Sequence, residues 1–362
     1  MINNQPLLTV IITSYNHANY IKQTIASFLG QTFTNFELLI IDDKSDDNSV
    51  EIIKSFNDSR IKLIALNTNG GICRASNIGI ENAQGKYIKF FASDDIALPT
   101  LLEKQVNFLE QNPAYDAVFC GIEVIDENGI SLPKKTKKFE KFFTNINRSQ
   151  EEWLHHFFFK GNCLATPTVV VKKELVQKIN GLDERLSQAH DFNMWVKFCI
   201  YGSNIYVLNE KLVQYRRLVN NKNMSSNTAN VRARLVFDNE KILQNFLAIE
   251  NISILVKIFP NLKELESKII KDLIPFFVAQ EALKVNSCHH KQFALSTLYN
   301  LLSNHKIQTI LETQFDFKTN KDFYNIVSNN PLGVMLETIQ RKQLYRRFLR
   351  SIGDIIFSKR AS

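Results

Sequence analysis

Glycine and proline, the residues that most often break a chain into turns, are scarce here, at 12 and 8 of 362 residues. With 44% hydrophobic residues and 27 phenylalanines, that scarcity excludes a loop-rich or disordered chain and favours long helices around a filled core. The five cysteines (Cys73, Cys120, Cys163, Cys199 and Cys288) are odd in number, widely spaced and include no CxxC pair. Neither a zinc knuckle nor a disulfide framework is expected, only reduced and mostly buried thiols. No apolar run approaches the roughly 20 residues needed to cross a bilayer. The start, Met1-Ile2-Asn3-Asn4-Gln5-Pro6, carries no basic region ahead of a signal-length apolar stretch. The expectation is a cytoplasmic chain, with peripheral attachment to the inner face of the membrane left open. Acidic residues are outnumbered, 36 against 44 Lys and Arg, for a net charge of +8. Such an excess suits an acidic ligand or an anionic surface without choosing between them. No base-stacking motif or recognition module accompanies it, so nucleic acid is not an expected partner.

What is present is a strand–helix alternation. Residues 7–13 (LLTVIIT), 36–41 (FELLII), 61–66 and 86–92 read as buried strands, with helical spacing over 18–30, 49–56 and 72–83. This pattern predicts an α/β fold: a doubly wound, mostly parallel sheet covered on both faces. Ligands of such sheets bind at the carboxyl ends of the strands, where Thr13-Ser14-Tyr15-Asn16, Asp42-Asp43 and Ser93-Asp94-Asp95 fall. From 116 to 225 the pattern is mixed, with strands expected at 118–124 and 168–171 and a helix at 191–200. The basic stretch 133–148 (PKKTKKFEKFFTNINR) is expected to be a loop. Helical texture dominates from about 229, so a boundary is placed in the Asn- and Ser-rich stretch Asn220 to Asn230. The expected domains are 1–228, with halves of about 1–115 and 116–228, and a helical 229–362.

Paired carboxylates at a strand end suit a hard divalent metal, which prefers oxygen ligands and leaves positions for phosphate. An isolated Asp94-Asp95 pair would more often be a helix cap. Here it follows Ile-Ile-Thr-Ser-Tyr-Asn at 11–16, Ile-Ile-Asp-Asp-Lys-Ser-Asp-Asp at 40–47, Asn69-Gly70-Gly71 with Arg74, Ala75 and Asn77, and Gly85-Lys86-Tyr87. In this order and spacing the chain resembles the inverting glycosyltransferase family 2, with the GT-A fold, over about residues 6–225. The resemblance implies a nucleotide-diphosphate sugar donor, UDP-linked, and a divalent metal, Mn²⁺ or Mg²⁺. It implies that Thr13 and Tyr15 line the nucleotide pocket, Asp43 meets the base, Arg74 holds the nucleotide, Asp94 contacts the ribose or sugar side, and Asp95 ligates the metal. Ser93-Asp94-Asp95 corresponds to the family's DXD-type motif, with Ser in place of its first Asp. Gln188-Ala189-His190-Asp191, behind Gly181-Leu182-Asp183-Glu184, resembles the family's acidic motif and puts Asp191 in the place of the catalytic base, with His190 where Glu or Gln is usual. An N-terminal helix carboxylate is the plainer reading of Asp191.

One departure is a missing histidine: the Tyr-Arg-x-His segment of many family members reads Tyr215-Arg216-Arg217-Leu218 here. Arg216 or Arg217 is then the expected source of charge for the diphosphate or of support behind it. The remaining histidines, His17 among them, show no metal-ligand spacing and read as solvated or core residues. The implied reaction is sugar transfer to a saccharide or lipid-linked saccharide acceptor, as in O-antigen, capsule or lipooligosaccharide synthesis. A catalytically weak nucleotide-sugar-binding scaffold is the non-enzyme alternative. A sugar-nucleotide pyrophosphorylase is the other enzyme, though the Gly-rich loop it needs after the first strand is absent. Finally, residues 339–360 carry Arg341, Lys342, Arg346, Arg347, Arg350, Lys359 and Arg360 around one acid, Asp354, with Leu344, Phe348, Ile352, Ile355 and Ile356 on one helical side. That basic amphipathic segment suits an anionic membrane surface, or packing on the catalytic domain or a second subunit.

Overall fold

A computed structural model describes residues 5–132, 139–143, 146–217 and 228–329. The four apolar runs form β1 (Leu8–Ser14), β2 (Phe36–Asp42), β3 (Ile61–Ala65) and β4 (Tyr87–Ala92), alternating with α1 (Ile21–Leu29), α2 (Ser49–Lys54) and α3 (Ile72–Asn82). After them come β5 (Ile96–Ala97), α4 (Leu101–Gln111), β6 (Ala117–Ile125), α5 (Gln150–Lys160), β7 (Val170–Lys172), α6 (Lys173–Lys178), α7 (His190–Ile200), β8 (Ile205–Arg216) and α8 (Ala229–Leu243). The eight strands form one sheet in the order β3-β2-β1-β4-β7-β6-β8-β5. β1 runs parallel to β2 and β4, β2 to β3, and β6 to β8. β7 is antiparallel to both β4 and β6, and β5 to β8. The sheet is thus mixed and mostly parallel, with β7 joining a wholly parallel half to the second half.

Burial on both faces explains why β1 and β2 read as continuous apolar runs: every residue of β2 is buried, as is every residue of β1 except half-buried Thr13. Gly79 lets α3 lie close on the sheet, since a Cβ there would come within 2.5 Å of Ile11 Cγ2. On the other face Phe28 of α1 meets Phe91 of β4 edge-on, ring centroids 4.7 Å apart. The register Ser14↔Asp42 and Thr13↔Ala92 brings the C-terminal ends of β1, β2 and β4 level at one edge. That edge is where the sequence placed its candidate residues.

The chain separates into two compact units, residues 1–249 with 253–263, and residues 250–252 with 264–362. Part of the expected boundary, 218–227, lies outside the described residues. Helix α8 falls in the first unit, where Asp238 accepts hydrogen bonds from Gln188 and Ala189. The second unit is helical among its described residues. There Ile274–Leu283 packs on Cys288–Leu301, burying Phe276, Phe277, Phe293 and Leu298. No helix among the described residues is long and apolar enough to cross a membrane. The basic segment 339–360 lies outside them.

The stretch expected as a basic loop is partly packed, which corrects that reading. Glu140 is buried and accepts from the Val124 amide at 2.9 Å and from Lys211 Nζ at 2.6 Å. Phe139 and Phe143 pack against each other and against Tyr215. A satisfied buried carboxylate and three aromatic rings outweigh the local basic composition.

Candidate functional site

Ser93, Asp94 and Asp95 follow β4 directly and are all buried. Their loop is pinned from beneath: Thr24 Oγ1 donates to the carbonyls of Ser93 (2.9 Å) and Asp95 (2.8 Å). Asp95 Oδ1 accepts from the Arg216 amide at 2.7 Å, whereas its Oδ2 is buried with no hydrogen-bond partner. Burial raises the Asp95 carboxyl well above the ordinary carboxylate range, and the charge of Asp94 adds to this against the opposing Arg216. Asp94 is also raised, by burial, with His17 and Arg216 opposing. Two adjacent buried carboxyls with an orphaned oxygen are costly unless a cation relieves them. That donor set fits a divalent metal. Among the described residues no group of three or more His, Cys, Asp or Glu side chains is arranged to hold one. A Mg²⁺-like ion tolerates this, because it takes one or two carboxylates and completes its shell with phosphates and water.

Arg216 lies behind the acidic loop, 1% exposed. Its Nε donates to the Asp94 carbonyl at 2.7 Å, Nη1 to the carbonyls of Asp126 and Glu127, and Nη2 to Gln23 Oε1. Its guanidinium thus bridges the acidic loop, the 126–127 turn after β6 and Gln23 of α1. Arg217 is exposed and stacks over Phe139, 4.6 Å from the ring centroid.

His17 corrects the sequence reading. It is half-buried, with Nδ1 2.6 Å from Ser93 Oγ, so it belongs to the acidic loop's surroundings. Nothing in its spacing signalled this, because the partner is 76 residues away.

At the end of β2, Asp43 accepts from the amides of Gly70 and Gly71, both at 2.7 Å, and its carbonyl accepts from Asn69 Nδ2. Each oxygen keeps a second lone pair. Arg74 is exposed and folds across Gly70, where any Cβ would collide with its side chain. Tyr15 is 45% exposed beyond β1, an open aromatic face at the same edge.

Asp191 stands in the first turn of α7. Its Oδ2 accepts from Thr166 Oγ1 at 2.9 Å and lies 3.5 Å from Asn162 Nδ2. The Thr166–Thr168 turn packs on β4, the strand that ends in the acidic loop. His190 is buried beside it with an unpartnered Nδ1, its pKa lowered by burial while Asp191 and Asp238 pull the other way. Upstream, Asn77 Nδ2 donates to the Leu182 carbonyl and Asn77 Oδ1 accepts from its amide. Gly181 has φ +66°, and a Cβ there would stand 2.6 Å from Asn77 Oδ1, so only glycine fits.

Sequence reasoning also missed Asp238. It is 1% exposed, and its Oδ2 accepts from the amides of Gln188 (2.7 Å) and Ala189 (3.0 Å), holding the entry to α7. Asp238→Ala would strand two amide donors, and is expected to lower the free energy of unfolding by about 2 kcal/mol. Urea denaturation checks this, and an unchanged midpoint would remove Asp238 from the support of α7.

Residues 9–169 match the family model described as glycosyl transferase family 2. The putative teichuronic acid biosynthesis glycosyltransferase TuaG of Bacillus subtilis is 33% identical over 230 residues, covering 63% of this chain and 84% of that protein. The chain belongs to glycosyl transferase family 2. An uncharacterized glycosyltransferase of Rickettsia prowazekii is 36% identical over 214 residues, which span 58% of this chain and 64% of the relative. Among solved structures, S. aureus TarS in complex with UDP-GlcNAc superposes with a TM-score of 0.56 at 19% identity, covering 88% and 89% of the two chains. The mannosyltransferase PcManGT of Pyrobaculum calidifontis, in complex with GDP-Man and Mn²⁺, gives 0.52 at 16% identity, covering 90% and 87%. At such identities the likeness shows the fold, which is GT-A.

Proposed function

We propose that this glycosyltransferase moves a hexose-type sugar from a UDP-linked donor to a saccharide or lipid-linked saccharide acceptor, with inversion, in surface polysaccharide synthesis. The observation that carries the reading is the unpartnered Asp95 Oδ2, buried beside a second raised carboxyl at the carboxyl edge of the parallel strands. Asp95, with Asp94 beside it, would hold a Mn²⁺ or Mg²⁺ ion, which supplies charge neutralisation for the departing diphosphate. Tyr15 offers its open face to the base, Thr13 lines the pocket floor, and Asp43 presents its remaining lone pairs to the base while gripping Gly70 and Gly71. Arg74, across Gly70, adds positive charge on the nucleotide side. Asp94 faces the ribose or sugar, and Arg216 and His17 keep the loop in place.

Asp191 then takes the proton from the acceptor hydroxyl as its oxygen bonds to the anomeric carbon and the bond to the β-phosphate breaks. Thr166 holds that carboxylate in its working orientation, and His190 packs behind it. UDP is favoured because TarS is described in complex with UDP-GlcNAc, and a surface polymer because TuaG is named for teichuronic acid. Residues 339–360 would bring the enzyme to an anionic leaflet on the cytoplasmic face. The scaffold reading is weakened by the intact Asp95 and Asp191.

The test is thermal stabilisation by UDP with Mn²⁺ or Mg²⁺, followed by UDP release from UDP-glucose, UDP-galactose, UDP-N-acetylglucosamine and UDP-glucuronate. At a hundredfold excess over Kd, UDP should stabilise the fold by about 2.7 kcal/mol. Absence of any metal-dependent stabilisation by UDP or GDP would sink the reading.

A further inference from the structure

Lys89 stands mid-strand in β4, opposite Val10 of β1 and Val170 of β7, and is wholly buried at 0% exposure. A strand covered on both faces is a place for Val or Ile. An ammonium there costs several kcal/mol unless every donor is met. Its hydrogen-bond acceptors among the described residues are neutral oxygens, Pro167 O at 3.0 Å, Gln105 Oε1 at 3.1 Å and Val169 O at 3.4 Å, and its Nζ also lies 5.5 Å from the centroid of the Phe91 ring. Gln105, equally buried, turns its Nε2 to Thr168 O at 2.7 Å and Val118 O at 3.1 Å. Lys89 and Gln105 together therefore grip three consecutive carbonyls, 167 to 169. The residue just before them is Thr166, whose hydroxyl donates to Asp191 Oδ2.

We propose that Lys89, acting with Gln105, is a positioning residue for Asp191: it locks the 167–169 turn so that Thr166 holds the Asp191 carboxylate in one place relative to the strand that ends in Asp94 and Asp95. This rests on Asp191 being the acceptor base. A single strand thereby carries the metal-side carboxylates at its end and, at its middle, the anchor of the acceptor side. The charge itself is part of the device. Burial pushes the Lys89 pKa down to about 8, so at neutral pH all three N–H donors are present for the three acceptors. An apolar residue would fill the strand equally well but release the turn.

The test uses the full chain, UDP with Mn²⁺ as the binding probe, and UDP release from the fastest of the four sugars above as the rate. Lys89→Met and Thr166→Val should each bind UDP within about twofold of the parent and lose about tenfold to a hundredfold in rate, the scale of a misplaced catalytic group. Because both act through one hydrogen bond, the double variant should be no slower than the slower single. Amide exchange in residues 165–169 should quicken in Lys89→Met while β1 is unchanged, a readout independent of activity. Losses that multiply in the double variant, or an unaltered rate in Lys89→Met, overturn the proposal. Should Lys89→Met fail to fold, Gln105→Met takes its place, and an unaltered rate there overturns it equally. Asp191→Asn separates the two levels: a full rate in that variant removes the base reading and this proposal with it. An inactive Asp191→Asn beside a fully active Lys89→Met removes only the positioning role.

Discussion

Asp191→Asn should bind UDP with metal as the parent does and lose sugar transfer by about 10²–10⁴-fold, the usual contribution of a positioned base. The substitution keeps the volume and keeps an oxygen to accept from Thr166, which donates at 2.9 Å to Oδ2 in the parent. Only the ability to take a proton is removed. If Asp191 were merely a helix-terminus carboxylate interacting with the dipole, the loss would instead appear as roughly 0.3–1 kcal/mol of stability with transfer intact. Rates of UDP release, with and without a saccharide acceptor, beside a thermal melt separate the two. Full transfer by Asp191→Asn would leave the protein without an assigned base.

Asp95→Ala should abolish the metal dependence of UDP binding, weakening affinity by more than about tenfold, since even outer-shell partners of a metal are worth that much. A second consequence comes from its pKa. The folded protein holds the Asp95 proton above the ordinary carboxylate range, chiefly because the group is buried. With the folded pKa raised, the stability associated with this group is fully present below the unfolded value. It is lost as pH rises through the folded one. Metal-free parent protein should therefore lose stability over that interval, while Asp95→Asn, which cannot ionise, should not show that slope. Melts in EDTA across pH give the comparison, and added Mn²⁺ should recover the parent alone, since metal binding displaces the proton. Parallel pH profiles for the two proteins would show that Asp95 carries no such strain.

The parallel half of the fold was legible because burial on both faces leaves a mark in local composition. LTVIITS and FELLIID carry the unbroken apolar cores Val10–Ile12 and Leu38–Ile41, and the helix between them repeats its apolar residues at helical spacing. β8 was not legible. Its middle, Asn209-Glu210-Lys211, is polar and exposed, and its pairing with β6 shifts register around Gly121. The capping box of α5, where Ser149 accepts from the Glu152 amide while the Glu152 side chain accepts from Ser149 N, lies in the stretch whose apolar pattern is mixed.

The candidate site divided along the same line. Thr13 near the end of β1, and Tyr15, Asp43, Asp94 and Asp95 just beyond strand ends, could be placed at one sheet edge because the strands announce themselves in local composition, and β-strand register does the rest. His17, Asp238 and Lys89 were not, because what makes each one matter lies elsewhere in the chain. His17 meets Ser93, Asp238 caps residues 188 and 189, and Lys89 reaches the carbonyls of Pro167 and Val169. YIKFFA reads as a buried strand but says nothing of what a lysine within it would meet; only β1 on one side, β7 on the other and the turn beside them supply the surroundings of a buried cation. Local composition records whether a segment is covered. It does not record by what, and hydrogen bonds between residues about 50 to 120 apart are decided only when the sheet closes.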